Sequence, residues 1–558
     1  MHSRFVLDTL VVSPSGPPDP AIAIAASRAG AIGVLNLEFA NDLPASRTAI
    51  DALSTYGRGR LGVLLHVESL EFSRSILSIL PENITTVCLA GSGVEAIGEL
   101  VASARSADRT VLVVATNEEI ARAGAAASAD AILAKGHEGG GWIGEESTFV
   151  LLQRLIARID VPVWAWGGIG LHTSAACVVA GAAGVVLDSQ VLLARESPLS
   201  DEARTILRRM DGSETAVLGA ELGQPVRAYA RPGVAAVEAL RQHERELTLA
   251  GDQSRSASWA QRVNAAAGWR DPQAEVLFIG QDAAFAATLA DRFFTVGGIL
   301  SAIRDEAAAH CRAAQRLDPL GESSSLAASH ETRFPIVQGP MTRVSDRAEF
   351  ALSVAEAGAL PFLALALMRA PEVEALLDET TQLLGERSWG VGILGFVPAE
   401  LRAEQLAVIR RYRPPFALIA GGRPDQALAL EADGISTYLH VPSPGLLGLY
   451  VKDGARRFVF EGRECGGHVG PRTSFVLWET MVNALLASLT RSVDAAEFHV
   501  LFAGGIHDAQ SAAMVAALAA PLAERGVRIG VLVGTAYLFT TEAVTSGAIT
   551  AGFQRAAQ

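Results

Sequence analysis

One succession of short motifs runs twice through these 558 residues, in the same order both times. "ASRAGAIGVLNLE" (26–38) answers "AEAGALPFLALAL" (355–367), and "KGHEGGGWIG" (135–144) answers "EGRECGGHVG" (461–470). "WGGIG" (166–170) answers "AGGIH" (503–507), and "GVVLDSQVLLARES" (184–197) answers "GVLVGTAYLFTTEA" (530–543). Gly30 recurs as Gly358, Trp142 stands where His468 stands, and Gly167 recurs as Gly504, at offsets of 328, 326 and 337 residues. Kept order at near-constant spacing is the mark of a duplicated domain.

Each copy contains eight short apolar runs separated by alanine-rich segments of helical character. The first copy has "FVLDTLVVS", "AIGVLNLE", "GRLGVLLHV", "TTVCLA", "TVLVVAT", "AILAKG", "VPVWAWGG" and "GVVLDSQ". The second has "FPIVQGPM", "LPFLALAL", "WGVGILG", "FALIAGG", "STYLHVPS", "RRFVFEG", "FHVLFAGG" and "RIGVLVGT". Continuous apolar runs alternating with helices read as buried parallel strands in βα units. An open doubly wound sheet fits that alternation too, but the glycine motifs all fall at the C-terminal ends of strands, where barrel sites lie. The expected fold class is therefore α/β, two tandem TIM (β/α)8 barrels joined by a helical subdomain. The expected boundaries are 1–200 for the first, degenerate barrel and 201–320 for the helical subdomain. A polar linker at 321–333, "GESSSLAASHETR", is expected not to pack, and the second barrel takes 334–558.

Hydrophobic residues make up 50% and charged residues 19% of the chain, a balance that suits buried strands and small-residue helices. The net charge of −14, with no Lys/Arg cluster, argues against a nucleic-acid partner. Cys88, Cys177, Cys311 and Cys465 are widely spaced, with no CxxC pair, so neither a zinc site nor a disulfide framework is expected and no metal is assigned. No apolar run approaches the length of a membrane span, and the N-terminus lacks a secretory pattern; a cytoplasmic protein without a membrane partner is the expectation.

In the second barrel, "AGGI" (503–506) ends the seventh strand, and "VGTAYLFT" (533–540) ends the eighth and opens a helix. Glycines at these ends let backbone N–H groups approach a phosphate, and a helix start adds partial positive charge. In "EGRECGGHVG", Gly466 and Gly467 stand directly before His468, so a flat ring can lie against the backbone with the imidazole above it. Cys465 reads as a small buried thiol and not as a nucleophile.

"FPIVQGPMTRVSD", "EGRECGGHVG", "LFAGGI" and "VLVGTAYLFT" together resemble the nitronate monooxygenase family, also called 2-nitropropane dioxygenases, which includes FMN-dependent enoyl-ACP reductases. The resemblance covers 334–558; tandem barrels of this kind resemble those at the N-terminus of polyketide synthase-like and polyunsaturated fatty acid synthase-like proteins. It implies an FMN-binding barrel without metal. Gly339, Pro340 and Met341 would lie beside the isoalloxazine, Gly466 and Gly467 would run along it, and Gly504, Gly505, Gly534 and Thr535 would hold the phosphate. His468 matches the family's catalytic histidine, and His440, Glu461 and Glu464 are pocket candidates. The implied activity is enoyl-thioester reduction, with NADPH or NADH as a transient reductant. The implied partners are an acyl carrier protein and other synthase domains, with a homodimer left open. Oxidation of nitronates is the alternative chemistry, and a non-catalytic scaffold is the alternative class. The end at "TSGAITAGFQRAAQ" is where the long synthase-like proteins continue, which suggests an excised N-terminal part of one.

The first copy departs from the pattern at two places. Trp142 replaces the histidine and is expected to fill the ring's space, and Asp188 stands where Gly534 does, a carboxylate at the phosphate position. No FMN is expected there. His137 and Glu138 are the candidates for any residual site, and "IGQDAAFAA" (279–287) resembles a segment of the long proteins to which no chemistry attaches.

Overall fold

The computed structural model describes residues 7–250, 255–489 and 494–558. It divides into two compact units, residues 1–309 and 310–558. In the first unit the strands are β1 (Asp8–Val12), β2 (Ile32–Asn36), β3 (Leu61–His66), β4 (Ile84–Ala90), β5 (Thr110–Ala115), β6 (Ala131–Lys135), β7 (Gly141–Trp142), β8 (Val163–Trp166), β9 (Gly184–Leu187), β10 (Thr215–Leu218) and β11 (Val226–Tyr229). In the second they are β12 (Ile336–Gln338), β13 (Leu360–Ala364), β14 (Gly390–Leu394), β15 (Phe416–Ala420), β16 (Ser436–His440), β17 (Arg457–Glu461), β18 (His499–Ala503) and β19 (Arg528–Val533).

β1 to β6 with β8 and β9 close one parallel barrel, and β12 to β19 close the other. All the apolar runs named above are strands of these two barrels. Buried on both faces, they carry no polar alternation, as parallel strands covered by helices should. The first barrel is filled by side chains such as Leu64, Leu133, Trp164 and Trp166, the second by Phe362, Leu418, Tyr438 and Leu501. Helix starts are fixed locally. Asp508, just past the glycine pair that ends β18, accepts from the Ser511 N–H at 2.8 Å and so opens the helix Ala509–Glu524 immediately behind that loop.

Two expectations are corrected. The segment 201–320 is not wholly helical, because β10 and β11 form an antiparallel sheet with β7. Val226 of β11 pairs with Trp142 of β7, so the tryptophan of the glycine-rich phrase is itself a sheet residue. Nor is 321–333 an unpacked linker. Ser325–His330 is a helix capped by Ser324, and it buries Leu326 in the core of the second barrel. Burying one leucine of this kind is worth about 1.5–3 kcal/mol, enough to hold a short polar segment in place. Among the described residues no single helix is long and apolar enough to cross a membrane.

Candidate functional site

The C-terminal ends of β12, β16, β17, β18 and β19 form one rim in the second barrel. Gly339, at the end of β12, donates its N–H to the Val533 carbonyl at 2.9 Å, which ties the "GPM" turn to β19. Pro340 lies where a Cβ on Gly392 of β14 would be, so Gly392 is needed for that turn to sit down on the barrel. The Met341 N–H is held by Ser345 Oγ at 2.7 Å. Gln338, buried beside them, keeps an Oε1 without a partner. Neither Gly392 nor Gln338 stood out in the sequence; Gln338 ends β12, where a barrel places functional groups, whereas Gly392 lies in the middle of β14 and no local signal marks it.

His440 ends β16 and Glu461 ends β17. They form a half-buried pair, Nδ1 to Oε2 at 2.8 Å, while His440 Nε2 is enclosed with no partner. The Cys465 thiol hydrogen-bonds Glu461 and is pushed far up from its ordinary pKa, first by burial and then by the charges of Glu461 and Glu464. It stays a thiol, in keeping with a structural part and not a nucleophilic one. Glu464 accepts from both the N–H and the hydroxyl of Ser474, at 2.8 and 2.6 Å, at the start of the helix Ser474–Ser488. Its carboxylate therefore anchors the loop from behind. His468 is exposed, its ring edge-on to Phe396 with centroids 4.9 Å apart. Gly466 and Gly467 face open space, with nothing within 4 Å of where a Cβ would stand, and Gly467 has φ of +138°.

Gly504 and Gly505, at the end of β18, have φ of +123° and +75°, both in the range that favours glycine. A Cβ on Gly504 would collide with Ser474 Oγ. Gly534 (φ −116°, ψ −87°) leads into the short 3-10 helix Thr535–Phe539. The structure thus brings Gly339–Met341, His440, Glu461, Gly466–His468, Gly504, Gly505, Gly534 and Thr535 to one end of one barrel.

The first barrel repeats this construction and then fills it. Gly167 and Gly168 have φ of +117° and +66°, and Asp188 has φ −140° and ψ −83°, close to Gly504, Gly505 and Gly534 respectively. Glu138 accepts from the Thr148 N–H at 3.2 Å, as Glu464 does from Ser474. His137 Nδ1 is 2.9 Å from the Gly144 carbonyl, so both members of the expected residual site are engaged in holding the loop. Asp188 turns its carboxylate to the Ser189 N–H, at 2.5 Å, and to Trp166 Nε1, at 3.0 Å. The carboxylate standing in the glycine cradle belongs to Asp282, from the "IGQDAAFAA" segment. Its Oδ2 accepts from the Gly168 N–H at 3.1 Å and from Gln190 Nε2 at 2.8 Å. Trp142 stacks on Phe39, which in turn stacks on Phe278, with centroids 6.2 and 4.8 Å apart. Arg227 of β11, buried, donates to the His137 carbonyl at 2.8 Å.

Asp282 is fully buried near Asp188 and Glu138, and burial above all, then the Asp188 charge, holds its pKa well above the carboxylate range. The folded protein keeps a proton there that the unfolded chain releases. That stability is complete below an ordinary carboxylate pKa of about 3.9 and is lost as pH rises through the folded value. Asp282→Asn retains the acceptor for Gly168 and Gln190 and cannot titrate. Calorimetric melting of the variant should show a flatter decline of the first unit's Tm from acid to neutral pH than the parent shows; equal slopes would refute the assignment.

The model of the family described as nitronate monooxygenase matches residues 60–291 and 395–556, more than half of the chain. The chain belongs to the nitronate monooxygenase family. A curated relative from Rhodococcus jostii (strain RHA1), (3aS,4S,5R,7aS)-5-hydroxy-7a-methyl-1-oxo-octahydro-1H-indene-4-carboxyl-CoA dehydrogenase, is 27% identical over 218 residues. The matched region is 36% of this chain, and the chain spans 60% of that relative's length. Among solved structures, FabK from Thermotoga maritima is similar at 22% identity and a TM-score of 0.46, covering 56% of this chain and 96% of its own. The nitroalkane oxidase of Streptomyces ansochromogenes gives 22% and 0.41, covering 54% and 96%. The enoyl reductase domain of MlnA from Bacillus amyloliquefaciens gives 12% and 0.45, covering 57% and 100%.

The residues of the second barrel fit a flavin. The open faces of Gly466 and Gly467 leave room for a flat ring. The Gly505 N–H has no acceptor among the described residues, whereas its duplicate, Gly168, already holds a carboxylate. His440 Nε2 is a buried polar atom awaiting a partner. Among the described residues no three His, Cys, Asp or Glu side chains gather as a metal site.

Proposed function

We propose that the second barrel is an FMN-dependent enoyl-thioester reductase that draws on NADPH or NADH, with its substrate delivered on an acyl carrier protein of a polyketide or fatty acid synthase. The observation that carries the reading is one rim that joins an open glycine face, Gly466–Gly467, to the strand-end glycines Gly504 and Gly505, the latter's N–H without an acceptor among the described residues, and to Gly534 at the start of a short helix. The relative from Rhodococcus jostii, a carboxyl-CoA dehydrogenase by name, supports a thioester as the substrate class.

A bound FMN supplies hydride transfer at N5. Gly504, Gly505, Gly534 and Thr535 would hold its phosphate, and Gly339–Met341 would wall the ring. His468, exposed at the rim with no hydrogen-bond partner among the described residues, would polarise the thioester carbonyl or carry the proton for the α-carbon. The His440–Glu461 pair would orient the occupant from below through the unpartnered Nε2. In the first barrel, with Asp282 in the cradle and the Trp142–Phe39–Phe278 stack beside it, no flavin binds. The four free cysteines suit a reducing cytoplasm.

The purified protein should be yellow with one flavin per chain. Mixed anaerobically with an enoyl thioester after reduction, it should reoxidise. No reoxidation by the thioester, with turnover of a nitronate in air instead, would move the assignment to nitronate oxidation. A colourless protein that gains no yellow absorbance with added FMN would favour a scaffold, and two flavins per chain would overturn the reading of the first barrel.

A further inference from the structure

The chain carries 46 basic residues, of which only Lys135 and Lys452 are lysines. Wherever a fixed positive charge suffices, this sequence uses arginine. Lysine differs in one chemical respect: its amine can give up a proton and attack carbon, which a guanidinium cannot. Lys452 is exposed on a helix end. Lys135 is the last residue of β6, at the C-terminal mouth of the first barrel, and is 1% exposed. It occupies the position that Glu461 holds in the other copy.

Burial of an ammonium is costly unless it is paired. Among the described residues Lys135 has no ion-pair or hydrogen-bond partner; its Nζ lies 4.5 Å from the centre of the Trp166 ring. It lines a cavity together with Ser13, Asn36, Glu38, Trp166 and Asp188. Glu38 is buried, and its Oε1 has no hydrogen-bond partner. The space between atoms there is about 520 Å³, of which about 30 Å³ admits the centre of a water molecule, so the occupant is small. Two carboxylates, Glu38 and Asp188, disfavour an anion, and the indole of Trp166 offers an apolar wall.

We propose that the first barrel holds a second reactive site, in which Lys135 captures a short, uncharged aldehyde or ketone as an imine. The Nζ lone pair adds to the carbonyl carbon, forming the C–N bond, and Glu38 passes the proton lost by nitrogen to the carbonyl oxygen. A second proton transfer by the same route expels that oxygen as water, breaking the C–O bond and leaving C=N. No oxidant or reductant is consumed. The site is separate from the flavin rim and does not depend on what that rim reduces.

The test is reductive trapping on the native full chain, with acetaldehyde and sodium cyanoborohydride, followed by peptide mapping. Lys452 serves as the exposed internal reference, and labelling in denaturant establishes that both peptides are detected. Lys135 should be ethylated at least about a hundredfold faster than Lys452 in the native protein, the low end of general acid assistance. Glu38→Gln should slow Lys135 and leave Lys452 unchanged, pyruvate should trap more slowly than acetaldehyde, and Lys135→Met should lose the label while keeping the parent's Tm. Native Lys135 labelled no faster than Lys452, or a Lys135 rate indifferent to Glu38→Gln, would overturn the proposal.

Discussion

Acidification from about pH 6.5 towards pH 4 is expected to destabilise the second unit by about 1.4 kcal/mol per pH unit for each of two buried histidines, His330 and His499. Both touch one hydroxyl: Tyr438 Oη is 2.6 Å from His330 Nε2 and 2.9 Å from His499 Nδ1. Arg528 Nη1, 3.4 Å from His499 Nε2, can only donate, so Nε2 is the acceptor and Nδ1–H donates to Tyr438. The tyrosine hydroxyl then donates to His330 Nε2, and neither ring has a free position for another proton without breaking a bond or facing a cation. Burial first, and then Arg457 and Arg528, hold His330 down to about 3; burial, Arg457, His330 and Arg528 hold His499 down to about 2.

A base depressed in the folded state gives stability that is full above its unfolded pKa, near 6.5, and that is lost as the unfolded chain takes up protons below it. Carboxylates titrate mainly near pH 4, so the interval from about 6.5 to 4.5 isolates the histidines. Calorimetric Tm against pH measures the slope. His330→Gln keeps an acceptor for Tyr438 and cannot charge, so it should remove about half of it. A Tm flat across that interval would mean that the two rings are not held neutral.

His468→Ala should lower kcat for the enoyl thioester by about 10²- to 10⁴-fold, the range for loss of a positioned general acid. Its exposure implies little packing loss, so Tm and flavin content should hold. His440 makes the contrasting case, because its Nδ1 is committed to Glu461 and its Nε2 is enclosed. His440→Gln should alter flavin affinity or the visible spectrum more than the rate of a saturated enzyme. Full activity in the His468 variant with loss in the His440 variant would place the proton transfer on the inner pair.

The polar residues of the candidate rim were legible as far as their position on a strand end, and their tasks were not. Glu461 and Glu464 look equivalent in "EGRECGGHVG", yet one pairs with His440 and the other anchors the helix at Ser474. Asp188 carried the expected charge of the wrong sign, but the carboxylate that takes the Gly168 N–H is Asp282, whose segment shows no local pattern that aims it there.

The sequence by itself determined the duplication, the strands of both barrels and the end of the barrel that carries the glycines. These follow from local properties: an unbroken apolar run buries on both faces, and a glycine after it permits a backbone that other residues resist. Tertiary structure alone decided what the two mouths contain. β7 is a two-residue strand because Val226, far along the chain, pairs with Trp142. The Ser325–His330 segment packs because Leu326 meets a barrel core that local polarity does not reveal. The first mouth is closed by Asp282 and the Phe278 stack, and Lys135 is enclosed beneath it. Pairing and burial depend on which distant residues meet, which a local pattern does not encode.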